Sequence, residues 1–279
     1  MTLAFSPRTL AETHAALARG AVKVAGATDL LVIDHANGRT HEAVIDVLGI
    51  RELQGILLID GGLAIGAAST FTQIRRSELV TLHARLLQDA AATIGAAQIQ
   101  NRATIGGNIA NASPAGDSLP ALLALDAHIV VSGPRGRRRV PYDVFHTGYR
   151  KTVLAEDELI EHVIIPIPTP SVQIFRKVGT REAQAISKVV VGFAANRKGS
   201  TLLDVRLAMG SIAATPVRLA NVEALIRSEP LSASLADRAA SLVEASITPI
   251  DDVRSTAEYR RHVAGRVVRR ILLTLPESK

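Results

Sequence analysis

Two glycine-containing segments hold the residue types that bind a phosphate through the backbone: Val24-Ala25-Gly26-Ala27-Thr28-Asp29 and Thr104-Ile105-Gly106-Gly107-Asn108. In the first, a short apolar strand runs into small residues and then a helix, a turn that aims unsatisfied N–H groups at an anion. The same turn also serves simply to connect a strand to a helix. In the second, paired glycines let a backbone come close to a diphosphate, and the hydroxyls of Thr104 and Ser113 are potential donors. Asp117, nine residues beyond Asn108, is placed to accept from ribose hydroxyls. The plainer alternative is an irregular loop whose Asn and Ser satisfy their own backbone.

The elements around these segments divide the chain. Ser6-Pro7 reads as a helix start, and Leu10, His14, Leu17 and Ala18 recur at helical spacing up to Gly20. A strand at Val22–Val24, a helix from Leu30 to about Asn37 and a strand at Ala43–Val47 then predict a small parallel α/β unit. From Ile56 the texture changes: Asp60-Gly61-Gly62 and Gly133-Pro134-Arg135-Gly136 each read as a hairpin turn. Between them lie a helix at about 80–93 and a short apolar helix at 118–124, which makes the second unit α+β with an antiparallel sheet. Pro166, Pro168 and Pro170 mark a connector, so the main boundary is expected at about 168. Beyond it, strands at 171–178, 188–196 and 201–209 precede helices near 216–228, 233–246 and 255–274.

Composition removes whole classes of chemistry. The chain has 279 residues, 47% of them apolar and 21% charged, which predicts two compact globular units. It contains no Cys, so it cannot supply thiolates to zinc or to an iron–sulfur cluster and has no thiol nucleophile. Thirty-two Lys and Arg against 26 Asp and Glu leave a net charge of +6, an excess too small and scattered for a nucleic-acid binder. Eight His residues form no HExxH or His-x-His arrangement, so no metal site is expected. G-x-S-x-G, P-loop and G-x-G-x-x-G patterns are missing, which disfavours hydrolase, P-loop and ordinary Rossmann readings. No apolar run reaches membrane-spanning length and the N-terminus lacks a signal-type pattern, so a cytoplasmic protein is expected. Arg135, Arg137, Arg138 and Arg139 read as a solvated hairpin, and Arg260, Arg261, Arg266, Arg269 and Arg270 as the solvated face of the last helix or a docking surface.

Taken in order, VAGATDLL, QNRATIGGNIANASPAGDSLPALLALDA (100–127), FHTGYRKTVLAEDELIEHVIIP (145–166) and FRKVGTREAQAISKV (175–189) cover nearly the whole chain. They resemble the flavin-binding medium subunit of the molybdenum hydroxylases, the group of xanthine dehydrogenase, carbon monoxide dehydrogenase and aldehyde oxidoreductase. The resemblance implies an α+β protein: a two-subdomain FAD-binding domain of the PCMH type over 1–168 (subdomains 1–55 and 56–168), then a C-terminal domain over 169–279 with a three-stranded antiparallel sheet and a helical bundle. It implies that Val24–Asp29 and Thr104–Asn108 clasp the pyrophosphate of a non-covalent FAD, that Asp117 holds a ribose hydroxyl, that Ile160 lies beside the isoalloxazine and that Lys177 lies near its pyrimidine end. No residue of this chain is expected to be catalytic towards substrate. The molybdenum cofactor and [2Fe-2S] clusters are expected on a large and a small partner chain, two copies of each of three chains assembling. Electrons would leave through FAD to NAD⁺, oxygen or another acceptor. The absence of Cys argues against the subgroup resembling hydroxybenzoyl-CoA reductases, whose flavin subunit holds a further cluster. Two departures stand out. The first loop reads AGAT where many relatives have AGGT, so Ala27 must keep a negative φ or accept strain. Residues 180–184 carry no aromatic where some relatives place one over the flavin. A free-standing flavin oxidase of the same broad fold and a non-enzymatic anion-binding module are the competing readings; a flavin spectrum separates the latter.

Overall fold

The computed structural model describes residues 2–17 and 20–275. Three larger sheets organise it, beside a two-stranded ribbon of His146–Gly148 and Lys151–Thr152. The first is parallel, in the order Leu3–Phe5, Ala43–Asp46, Val22–Val24, with helices Leu10–Leu17 and Leu30–Asn37 as crossovers. Helix Leu30–Asn37 stops at Gly38, whose φ of 60° forms a left-handed cap. Helix Leu10–Leu17 begins later than Ser6-Pro7 suggested, because the Thr9 hydroxyl, not Ser6, accepts from the Glu12 amide at 3.3 Å. Ala18, counted in its apolar spacing, lies outside the described residues.

The second sheet is antiparallel and five-stranded: Ile56–Ile59, Gly62–Gly66, Leu159–Pro166, His128–Gly133, Gly136–Pro141. The two expected hairpins form its halves. The strand that joins them, Leu159–Pro166, is the centre of the sheet and was not anticipated. Its near-continuous apolar run is interrupted by Glu161, which stays buried because Arg137 pairs with it. The single helix expected at about 80–93 is two, Glu78–His83 and Arg85–Ala92, and a further helix that was not anticipated, Phe71–Arg76, precedes them. In chain order, Thr70 closes a capping box on the first of the three, Ser77 accepts from the Val80 amide to start the second, and Ala84 at φ −138° separates the second from the third.

The C-terminal sheet has four strands rather than three: Val172–Val178, Val189–Lys198, Thr201–Gly210 and the two-residue Val217–Arg218. The last is too short to show a pattern, and it is held by ladder pairing to Ala208 and Met209 and by Arg218 bonds to Glu223 and Asp126. This sheet is covered on both faces. Phe175, Val190, Ala194 and Ala208 pack with Leu119, Leu122 and Leu87 of the preceding lobe. Val189, Val191, Phe193, Leu207 and Met209 pack under helices Ala220–Ser228, Ala233–Ser246 and Ala257–Leu273. Burial on both sides explains why Val189–Ala195 reads as a solid apolar run without alternation.

The arginine clusters are less free than their sequence suggests. Arg135 pairs with Asp157, Arg137 with Glu161 and Arg138 with Glu158, tying the hairpin across to the 155–161 segment. Arg260 is buried and donates to Asp252 and to the Ser211 carbonyl, whereas Arg261, Arg266 and Arg270 are exposed.

Candidate functional site

The parallel lobe and the antiparallel sheet enclose a cavity of about 340 Å³, within the range of about 300–1,000 Å³ usual for small-molecule sites. Both glycine segments line it. From the first come Ala25, Gly26, Ala27, Thr28 and Asp29; from the second, Thr104, Gly106, Gly107 and Asn108; Ile160 contributes from the central strand. Segments some 80 residues apart in sequence therefore form one wall.

Each segment is shaped by a specific backbone constraint. At Gly26 a Cβ would lie 2.0 Å from the Arg102 carbonyl oxygen, so only glycine lets the first turn press against the backbone that leads into the second. Ala27 sits at φ 59°, the left-handed region, so the strained alternative is the one adopted. Among the described residues the amides of Gly26, Ala27 and Thr28 have no acceptor, and Asp29 does not cap the helix that follows with its side chain. Three N–H donors thus remain for an anion.

The second segment is the first turn of helix Ile105–Asn111, not an irregular loop. The Thr104 hydroxyl accepts from the Gly107 amide at 3.2 Å. The amides of Ile105 and Gly106 donate to Ser69 and Ala67 carbonyls, so this segment contributes shape more than donors. At Gly107 a Cβ would meet only the Thr104 hydroxyl, at 3.0 Å, and otherwise point into open cavity; this is the cradle that a side chain would fill.

The remaining expected residues lie outside the cavity wall. Val24 is in the strand before the first turn, and the Ile105 side chain is in the core. Ser113 accepts from the Ala115 amide in the turn that follows the helix. Asp117 and Lys177 meet each other: Nζ to Oδ2 is 2.6 Å, with the side chains 5% and 9% exposed. Lys177 also donates to the Thr93 carbonyl, and Asp117 accepts from the hydroxyls of Thr93 and Ser187. Burial pushes the Asp117 carboxyl up, and Lys177 and the two hydroxyls oppose that shift. The cluster reaches the cavity through Ser118, which donates to Asn108 at 2.6 Å.

Several wall residues were not singled out from sequence. Lys23 donates to the carbonyls of Glu156 and Glu158 at 2.7 and 3.0 Å, and burial lowers its pKa. Glu158 accepts both Nε and Nη2 of Arg138, which holds its carboxyl down at about 2. Asn111 takes a hydrogen bond from Arg150 at 2.9 Å. The alternation Val22-Lys23-Val24 was a usable signal for Lys23; nothing in the local pattern marks the others.

Three free amides, a glycine cradle and a wall of mostly small and apolar side chains define a protein that holds an anionic organic cofactor between two lobes. Comparison with known proteins says which. The model described as "FAD binding domain in molybdopterin dehydrogenase" matches residues 2–168, and "CO dehydrogenase flavoprotein C-terminal domain" matches residues 174–275. The xanthine dehydrogenase FAD-binding subunit of Escherichia coli O157:H7 is 32% identical over 253 residues, 89% of this chain and 86% of that one. The nicotinate dehydrogenase FAD-subunit of Eubacterium barkeri is 29% identical over 97% of this chain and 95% of its own length. A solved carbon monoxide dehydrogenase from Hydrogenophaga pseudoflava superposes with a TM-score of 0.91 at 29% identity, covering 96% of this chain and 95% of that one. The chain belongs to the family of FAD-binding subunits of the molybdenum hydroxylases, and it is an oxidoreductase component whose cofactor is FAD.

Proposed function

We propose that this chain is the flavin-carrying electron-transfer subunit of a heteromeric molybdenum hydroxylase. It takes electrons that originate at a molybdenum centre on a large partner and arrive through [2Fe-2S] clusters on a small one, and it releases them to an external acceptor such as NAD⁺ or oxygen. Bound FAD supplies a carrier that accepts and releases either one electron or two. The chain's own residues hold it. The amides of Gly26, Ala27 and Thr28 face the diphosphate, Gly107 leaves space for it, and Ile160 supplies an apolar wall. Asp117 and Lys177 join the second lobe to the C-terminal sheet behind Asn108. Division over two units, 1–168 and 169–279, is part of this reading, as is an assembly with two copies of each of three chains. The lack of Cys supports it, because cluster thiolates must then belong to another chain.

The observation that carries the site assignment is the open face of Gly107. Gly107→Val should fold normally, since its new atoms meet only the Thr104 hydroxyl at the Cβ, yet lose FAD affinity by at least tenfold, about 1.4 kcal/mol. The measurement is a flavin fluorescence titration of the full chain beside its thermal unfolding. Wild-type affinity in Gly107→Val would remove the diphosphate from this cavity. For the assembly, capture from the native host followed by mass determination should return large and small partners; a substrate-active monomer near 29.5 kDa would favour a free-standing oxidase.

A further inference from the structure

Arg150 lies in the segment 145–166 but was given no role there, yet it is the cation that bridges the two glycine segments. Its Nη1 lies 2.9 Å from Asn111 Oδ1, at the end of the glycine-bearing helix, and 3.5 Å from Asp29 Oδ2, at the end of the first turn. Both Asp29 and Asn111 line the cavity. The backbone of Arg150 is left-handed, with φ 52°, a conformation that costs an arginine energy. The ion pair it makes is exposed, at 37% and 49%, and such pairs return little stability. Stability therefore does not account for the arrangement, whereas the charges around the cavity do.

Three charged residues line the wall: Lys23, Asp29 and Glu158. Glu158 is neutralised by two hydrogen bonds from Arg138. Asp29 stands next to the free amides of the first turn, where a diphosphate is to be held, and its carboxylate would repel that ligand. Among the described residues Arg150 is the cation that pairs with it. The neighbouring residue His146 holds the same end of the same helix, its Nε2 lying 3.2 Å from the Ile109 carbonyl, so the 146–150 segment fixes Arg150 at that position.

We propose that Arg150 is a positioning residue that cancels the charge of Asp29 and thereby permits an anionic dinucleotide to lie against the first glycine turn. The inference rests on the placement of FAD in this cavity. Its test is a fluorescence titration of the flavin-stripped full chain with FAD, at low and high NaCl, for wild type, R150Q, D29N and D29N/R150Q. At low salt R150Q should bind about three- to tenfold more weakly, the effect of one unscreened unit charge a few ångströms away. D29N should bind more tightly than wild type, and the double variant should bind more tightly than R150Q, close to wild type. Both single-variant differences should shrink as NaCl rises, because the cause is charge. R150Q equal to wild type, a double variant as weak as R150Q, or a salt-independent deficit would overturn the proposal. If R150Q fails to fold, tighter binding by D29N carries the test, and weaker binding by D29N would sink it. A wild-type chain that takes up no FAD, or a Gly107→Val chain that binds normally, would refute the cavity placement itself.

Discussion

Replacing Lys177 by Met tests whether the contact between the second lobe and the C-terminal sheet is chiefly electrostatic. The perturbation leaves the Asp117 carboxylate 5% exposed with no cation, while Ser187 and Thr93 still donate to it. Breaking a buried pair on one side costs about 3–5 kcal/mol. The two retained hydroxyl donors place this case at the lower end, about 3 kcal/mol. At roughly 2–4 °C per kcal/mol for a chain of this size class, the melting temperature of the flavin-free protein should fall by about 6–12 °C.

The pH dependence gives the sharper readout. Burial already raises the Asp117 pKa above its ordinary value of 3.8, with Lys177 foremost among the groups opposing it. Without Lys177 the folded-state pKa rises further. A folded pKa above the unfolded one contributes stability that is present at low pH and lost as pH climbs through the folded value. Lys177→Met should therefore melt lower at about pH 8 than at about pH 5, relative to wild type at each pH. Asp117→Asn/Lys177→Met, which buries neither charge, should recover most of the loss. The assay is thermal unfolding followed by circular dichroism, without flavin. A Lys177→Met protein that melts with wild type, or whose deficit is flat in pH, would refute the reasoning and leave Lys177 to act on the cofactor alone.

Ala27→Gly should stabilise the chain. Relief of left-handed strain, about 1–2 kcal/mol, exceeds the entropic cost of glycine, about 0.5–1 kcal/mol, so a net gain near 0.5–1 kcal/mol is expected in urea unfolding, and a loss would contradict the strain assigned to φ 59°. Glu158→Gln should flatten the acid limb of stability. The wild-type carboxyl is held at about 2 against an ordinary 4.5, so its contribution is present above 4.5 and disappears as pH falls towards 2. The variant should be less stable near neutrality and lose less across that window; identical acid melting curves would count against the Arg138–Glu158 pair.

What could be read from residues alone follows the range of the forces involved. Hairpin turns at Asp60-Gly61-Gly62 and around Pro134 are local, as are the periodic helices of the C-terminal bundle, and each was legible. Helix breaks at Ser77 and Ala84 were not: at Ser77 a hydroxyl cap outweighs a continuous helical pattern, and at Ala84 the break is a backbone turn at φ −138° with no capping side chain to mark it. The central strand Leu159–Pro166 was hidden by a buried glutamate whose partner, Arg137, lies 24 residues away on another strand. In the site, the two glycine turns were visible by composition, but which amides stay free was not. That depends on whether Ala67 and Ser69 carbonyls reach the second turn.

The same limit hides the charge pairs near the cavity from the sequence. Asp117 and Lys177 are 60 residues apart, Asp29 and Arg150 are 121 apart, and Arg138 and Glu158 are 20 apart. Each carboxylate taken singly suggests a ligand to hydroxyls or a source of repulsion; in the fold each has a cation partner within 3.5 Å. On the proposed placement of FAD, such a cavity would recognise a diphosphate by N–H groups and shape, with the carboxylates around it each paired to a cation. Loss of the cation alone, as in R150Q or Lys177→Met, should then weaken FAD binding or folding more than loss of both members of its pair. That reversal of ordinary additivity separates a paired arrangement from one in which each charged residue contacts the cofactor for itself.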